Sequence, residues 1–224
     1  MERGDAELFD LLRRRLFTAV VGDVLDSLGF TRQFLPPSIQ PLREDMVIAG
    51  RAMPVLEADI PEEETARPGE PFGLMLRALD DLKPAEVYIC TGASPTYALW
   101  GEIMSARAQR LGAAGAVLDG LVRDTRGIAA LGFPAFCAGK YAQDQRPRGR
   151  VADFRIPIRI GQARIEPGEL IYGDLEGVLV IPRQVETEAV ERALEKVEKE
   201  RQVKEAIGER GLSSAEAFRT YGVL

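Results

Sequence analysis

Residues 86 to 137 alternate between short apolar runs and helical periods, and that alternation leaves few folds open. Glu86-Val87-Tyr88-Ile89-Cys90, Gly115-Ala116-Val117-Leu118-Asp119 and Pro134 to Cys137 read as strands. Leu99 to Leu111, stopped by Gly112, and Asp124 to Leu131, followed by Gly132, have the spacing and terminal glycines of helices. Strands joined through a helix by short connections cross over right-handedly and lie parallel. This stretch therefore predicts an α/β fold with a locally parallel sheet.

The flanks add helices on one side and antiparallel strands on the other. Ala6 to Arg15 has helical spacing and a basic end that suits the helix dipole. Thr18 is placed to cap a second helix, Ala19 to Leu28, stopped by Gly29. Gln33 to Leu42 reads as a proline-punctuated loop, and Met46 to Val55 as a strand pair or one bent strand, with Gly50 as the candidate bulge. Glu62 to Pro68 is an acidic loop, and Phe72 to Asp81 a helix closed by Pro84. After a polar link, Gln143 to Arg150, come Ala152 to Ile160, Gly161 to Ile165, Leu170 to Tyr172 and Gly177 to Ile181. These short runs, separated by glycine turns, predict an antiparallel layer packed on the first. A charged helix from Arg183 to about Glu209 and a serine-capped one, Ser213 to Tyr221, close the chain. The expected division is a core domain over residues 1–182 and a helical extension over residues 183–224.

Composition narrows the chemistry. The 224 residues include no histidine, which excludes Ser-His-Asp and Cys-His nucleophile systems and every histidine-ligated zinc or iron site. Cys90 and Cys137 are too few for a four-thiolate site and read as buried, reduced thiols of a cytoplasmic protein. The net charge of −6 argues against a general binder of nucleic acid or anionic membrane. No apolar run approaches the roughly 20 residues that span a bilayer, and Met1 to Asp5 lacks the apolar core of a signal peptide. What remains is carboxylates, arginine, backbone amides and a hard, oxygen-loving cation.

In a parallel sheet, ligands sit beyond the carboxyl ends of the strands. Gly92 to Gly101 and Gly120 to Asp124 each follow a strand and open a helix, so the two loops converge on one crevice. The first offers the amides of Gly101, Glu102, Ile103 and Met104 at a helix start, suited to a carboxylate or phosphate. The second offers a fixed cation, Arg123, beside a hard-metal ligand, Asp124. Each residue also has a plain structural reading. Asp124 caps its helix, Arg123 makes a surface ion pair, Glu102 complements the helix dipole, and Asp119 satisfies a turn amide.

The run Trp100-Gly-Glu-Ile-Met, Gly115-Ala-Val-Leu-Asp-Gly-Leu-Val-Arg-Asp and Leu131-Gly-Phe-Pro-Ala-Phe resembles a known family. It is the family of regulator of ribonuclease activity A and the 4-hydroxy-4-methyl-2-oxoglutarate aldolases. Thr18-Ala-Val-Val-Gly-Asp-Val-Leu-Asp, Ala49-Gly-Arg-Ala, Pro167-Gly-Glu-Leu-Ile-Tyr-Gly-Asp-Leu-Glu-Gly-Val-Leu-Val-Ile-Pro and the Tyr221-Gly-Val-Leu ending agree with it. The central motif, an acid or glycine followed by 20 residues and Arg-Asp, is met by Glu102 and Arg123-Asp124.

The resemblance implies a swivelling β/β/α domain assembled as a trimer or a dimer of trimers, with the helical extension packing on a neighbouring subunit. It implies an Mg²⁺- or Mn²⁺-dependent lyase that cleaves a 2-oxo acid to pyruvate, by aldol cleavage, oxaloacetate decarboxylation or both. Carried onto this chain, the amides of Gly101 to Met104 bind the carboxylate, Arg123 contacts the oxo group and Asp124 holds the metal, largely through waters. Glu102 assists the base, and Glu200, on the edge of the apolar stripe of the long helix, is the best match to a family glutamate that reaches a neighbouring site. The sequence departs at Gly127, where many family aldolases carry an acid, and Arg126 adds positive charge just before it.

Other readings compete. The family's founding member inhibits ribonuclease E without catalysis, and an acidic oligomer suits a basic partner. Demethylmenaquinone methyltransferase, a label such sequences have carried, would need a glycine-rich loop after a strand. Gly112-Ala-Ala-Gly115 precedes its strand instead, so that reading is rejected. A Schiff-base aldolase needs a buried lysine, for which Lys140 is the one candidate.

Overall fold

The computed structural model describes residues 4–61 and 71–222; the acidic loop expected at Glu62 to Pro68 lies outside them. Strand β2 (Ile48–Asp59) is the longest strand, and both of its edges are used. Along one edge it runs parallel to β3 (Glu86–Thr91); along the other it pairs antiparallel with β10 (Leu170–Asp174), then with β7 (Gly149–Phe154). Beyond β3 lie β5 (Gly115–Val122) and β6 (Ala135–Lys140), all parallel, with β4 (Ala98–Trp100) parallel to the far end of β5. Beyond β10 lies β11 (Gly177–Ile181), antiparallel. The sheet curls until one segment serves both edges. Gln33 and Leu35 bond to β11, and β1 (Gln40–Pro41) pairs with β6.

This nearly closed sheet explains why its strands are apolar on both faces. Val87 and Ile89 point inward with Ile48, Ala52, Val117, Phe136, Ile171 and Val180. A separate hairpin, β8 (Ile158–Ile160) with β9 (Ala163–Ile165), plugs that interior. Tyr88 and Cys90 point outward beneath α3 (Met75–Asp80), α4 (Glu102–Arg110) and α5 (Thr125–Leu131). On the other flank Leu170, Tyr172, Leu179 and Ile181 are covered by α1 (Asp5–Arg15), α2 (Thr18–Ser27) and the first turns of α6 (Glu186–Gly208). Full burial of one such side chain contributes roughly 1.5–3 kcal/mol. Arg51 clamps this flank, paired with Asp5 of α1 and, at 2.5 Å, with Glu186 of α6. The closing helix, α7 (Ser214–Tyr221), has Ser213 and Glu216 as a reciprocal capping box. Among the described residues no helix is long and apolar enough to cross a membrane.

The mixed sheet flanked by helices is the α/β class expected, with local differences that have physical causes. Leu99 and Trp100 belong to a strand, not to the following helix, because Tyr97 to Trp100 are all buried in the sheet. The expected antiparallel layer reduces to the β8–β9 hairpin, since β7 and β10 bond to β2 and β11 bonds to β10, all within the main sheet. The run Ala152 to Ile160 is broken at Arg155, whose left-handed backbone (φ 58°) carries its guanidinium to Asp81 and Glu86. The irregularity of β2 falls between Leu56 and Glu57, not at Gly50. Gly50 is instead a close approach, where a Cβ would stand 2.4 Å from the Ala85 carbonyl oxygen.

Thr18 does not cap α2. Asp174, at the end of β10, accepts from both the Thr18 amide and its hydroxyl at 2.7 Å, satisfying the helix start from across the fold. We expect Asp174→Ala to lower stability by about 1–2 kcal/mol in urea denaturation, the range for a lost helix cap. Thr18→Val, which keeps the amide bond, should lose less.

Candidate active site

The ends of β4 and β5 are tied together, because the Arg123 amide donates to the Trp100 carbonyl at 2.9 Å. Trp100 is itself fixed: its indole donates to Ser105 Oγ at 2.7 Å, and its ring packs on Tyr88 and Phe133 at centroid distances of 4.8 and 6.1 Å. Ser105 Oγ donates on to the Gly101 carbonyl. The first intrahelical bond of α4 runs from Ser105 N–H to that same carbonyl, so the amides of residues 102–104 precede the ladder.

Asp124 follows Arg123 in a left-handed conformation (φ 55°, ψ 34°), which aspartate tolerates better than most residues. Its side chain makes no cap bond to α5. Oδ2 instead faces the other loop, 3.4 Å from the Glu102 amide and 3.7 Å from Arg123 Nε. A Cβ on Gly101 would stand 2.7 Å from that oxygen, so a side chain at 101 would push the Asp124 carboxylate aside. The simple capping role is thereby removed for Asp124.

Glu102 and Gly127 share one space. A Cβ built on Gly127 would lie 2.1 Å from both the Glu102 carboxyl carbon and its Oε2. The missing acid at 127 and the acid at 102 are therefore linked: the carboxylate of Glu102 lies where a side chain at 127 would begin. Gly101, Ile103, Met104, Arg123 and Asp124 all line a cavity of about 230 Å³. Arg123 and Asp124 also line a second, more open one of about 310 Å³ with Lys140.

Other expected residues lie apart from this group. Asp119 accepts from the Thr91 hydroxyl at 2.6 Å across β3 and β5 and lines neither cavity. Glu200 lies on α6, 4.0 Å from Lys196, and also lines neither. Lys140 is exposed, not the buried amine that a Schiff base needs.

The structure adds residues that the sequence reading missed. Asp144 Oδ1 stands 3.4 Å from Arg123 Nη1, and Gln145 lines the same cavity. Gln145 Nε2 donates at 2.7 Å to Glu57 Oε2, and Glu57 is only 2% exposed. Glu57 Oε1 and the Tyr88 hydroxyl are buried polar atoms with no hydrogen-bond partner among the described residues. Burial pushes the Glu57 carboxyl up to about 7, against a smaller opposing effect of the Gln145 bond. The sequence offered little signal: Glu57 lies beyond the apolar run Met46 to Val55, and Gln145 sits inside what reads as a link.

A sequence model of the RraA-like family, described as aldolase/RraA, matches residues 18–180. A protein of Halalkalibacterium halodurans, provisionally named a 4-hydroxy-4-methyl-2-oxoglutarate aldolase, is 32% identical over 93% of this chain and 90% of its own. A solved structure described among novel cellulases from gut-associated microbes is 30% identical. Its TM-score is 0.83, covering 90% of this chain and 89% of that one. Streptomyces coelicolor RraAS2, described as an unusual member of the RNase ES inhibitor RraA family, has a TM-score of 0.76 at 24% identity. It covers 90% of this chain and 97% of its own, a likeness of fold.

The buried Glu57 sets a pH dependence of stability. Between its ordinary value of 4.5 and about 7, the folded chain keeps a proton that the unfolded chain has released. Stability must then fall as pH rises through that window, by roughly 3 kcal/mol in all. Glu57→Gln keeps an acceptor for Gln145 and removes the titration. In urea denaturation its advantage over wild type should grow between pH 5 and pH 8; an equal gap at both would refute the burial argument.

Proposed function

The chain belongs to the RraA-like family of aldolases and RraA proteins, and from that premise we propose that it is a divalent-cation-dependent lyase releasing pyruvate from a 2-oxo acid. The observation that carries this reading is the disposition of Asp124. Its carboxylate is spent neither on its own helix nor on burial. It meets the amide of Glu102 and the guanidinium of Arg123 at one cavity.

The donor set suits a hard, hydrated cation. No group of three or more His, Cys, Asp or Glu side chains that could cage a metal occurs among the described residues. Mg²⁺ needs only one or two carboxylates and keeps several waters. Asp124 is the ligand in this reading, and Mg²⁺ or Mn²⁺ bound there supplies Lewis-acid polarisation of the 2-oxo group. The amides of residues 102–104 bind the substrate carboxylate at the positive end of α4. Arg123 donates to the 2-oxo oxygen, where negative charge develops as the C–C bond breaks. Glu102 accepts, through a water, the hydroxyl proton released in aldol cleavage. The glycine at 127 leaves open the space in which the Glu102 carboxylate lies, and a side chain there would displace it. The second family reading, a non-catalytic regulator of ribonuclease E, draws on the name of a relative similar in fold, whereas the convergence of these groups favours chemistry.

Pyruvate release from oxaloacetate and from 4-hydroxy-4-methyl-2-oxoglutarate, followed with Mg²⁺ or Mn²⁺ and with EDTA, tests the reading. Activity should vanish with EDTA and fall at least about a hundredfold in Asp124→Ala and Arg123→Ala. Gly127→Ala should cost about tenfold or more by displacing Glu102. No pyruvate from either substrate would put the regulator reading first.

We place the chain in a trimer or a dimer of trimers, with part of the extension over residues 183–224 packed on a neighbour so that Glu200 reaches its site. Mixed oligomers of Arg123→Ala and Glu200→Ala subunits should then recover activity that each lacks alone. Wild-type rates for Glu200→Ala by itself would end that assignment.

A further inference from the structure

The cavity of about 230 Å³ has a charged rim and an apolar wall, and the reading above leaves the wall unused. Met75, Leu79 and Leu99 form its floor; they are 7%, 5% and 1% exposed and belong to the core beneath α3 and α4. Phe72 and Met104 pack against that core from the cavity side. At the mouth Leu76 and Ile103 stand 56% and 83% exposed, large apolar side chains left open to water. Arg123 is the only basic residue among the described residues lining this cavity, and it already faces the carboxylates of Asp124 and Asp144.

A 2-oxo acid whose head lies on the α4 amides and Arg123 must send the rest of its carbon skeleton toward this wall. A second carboxylate there would be desolvated against apolar side chains, with two aspartates nearby and no further lining cation to meet it. An alkyl or aryl group would instead cover Leu76 and Ile103 and release water from them. Resting on the lyase reading for the chemistry, we propose that the site selects 4-hydroxy-2-oxo acids carrying an apolar group, rather than a carboxylate, at C4.

The cleavage balances without an oxidant or reductant. The C4 hydroxyl loses its proton and its O–H electron pair becomes the new carbonyl bond. The C3–C4 bond breaks, and its pair passes to C3 and into the enolate of pyruvate. That enolate takes one proton at C3, so the products are pyruvate and an apolar aldehyde or ketone.

Binding and turnover test the proposal separately. Calorimetry with Mg²⁺ compares two non-cleavable acids of identical head, 2-oxo-4-phenylbutanoate and 2-oxoglutarate. The phenyl acid should bind at least about tenfold more tightly, the scale on which apolar pockets discriminate. Leu76→Arg, a change at an exposed position, should narrow or reverse the preference by supplying the missing cation. Equal or tighter binding of 2-oxoglutarate to the wild type overturns the proposal, as does binding of neither acid. In steady state, kcat/KM for 4-hydroxy-2-oxo-4-phenylbutanoate should exceed that for 4-hydroxy-4-methyl-2-oxoglutarate. A kept binding preference with no pyruvate from either overturns the lyase reading, and with it the cleavage step, but not the selection of an apolar tail.

Discussion

One backbone hydrogen bond, from the Arg123 amide to the Trp100 carbonyl, sets the geometry of the candidate site. It joins the end of β4 to the residue just past β5, two neighbouring parallel strands that each feed a helix. With those ends held together, α4 and α5 start side by side, and the carboxylate of one loop meets the amide of the other. The tie is well supported, since Trp100 is buried and held by Ser105, Tyr88 and Phe133. A helix start, a guanidinium and a carboxylate therefore arrive together because one indole is immobilised in the core.

The alternation of strands and helices between residues 86 and 137 was legible because local periodicity and tertiary burial agree there. The two loops were legible for the same reason, since a glycine at a helix start and an Arg-Asp pair after a strand have few uses in that topology. Leu99 and Trp100 misled because a buried strand and the apolar face of a helix look alike over so few residues. Thr18 misled because its partner, Asp174, lies 156 positions away. Glu57 and Gln145 illustrate the same limit. Each is unremarkable in its own segment, and only the closed sheet brings 57 and 145 into a buried hydrogen bond beside the cavity.

The absence of histidine matters differently once the surroundings are known. Two carboxylates, Asp124 and Asp144, face one guanidinium. Behind them lies a third, Glu57, that burial favours keeping neutral. Charge at the rim is open to water and to ions, whereas the interior behind it is apolar. The fold thus separates a wet, oxygen-rich edge from a dry wall within one small cavity, and a ligand with two unlike ends is the natural complement of that asymmetry.

The short segment that bonds to β11 through Gln33 and Leu35 and to β6 through Gln40 and Pro41 has a further consequence. An open sheet ends in rows of unpaired amides and carbonyls that invite strands from other chains. Here a few irregular, proline-rich residues occupy two such rows at once. Growth of the sheet by strand addition is discouraged at both places, which turns association between copies toward the helical and loop surfaces. A loop that reads as mere connection in the sequence therefore works as a guard against fibre-like self-association.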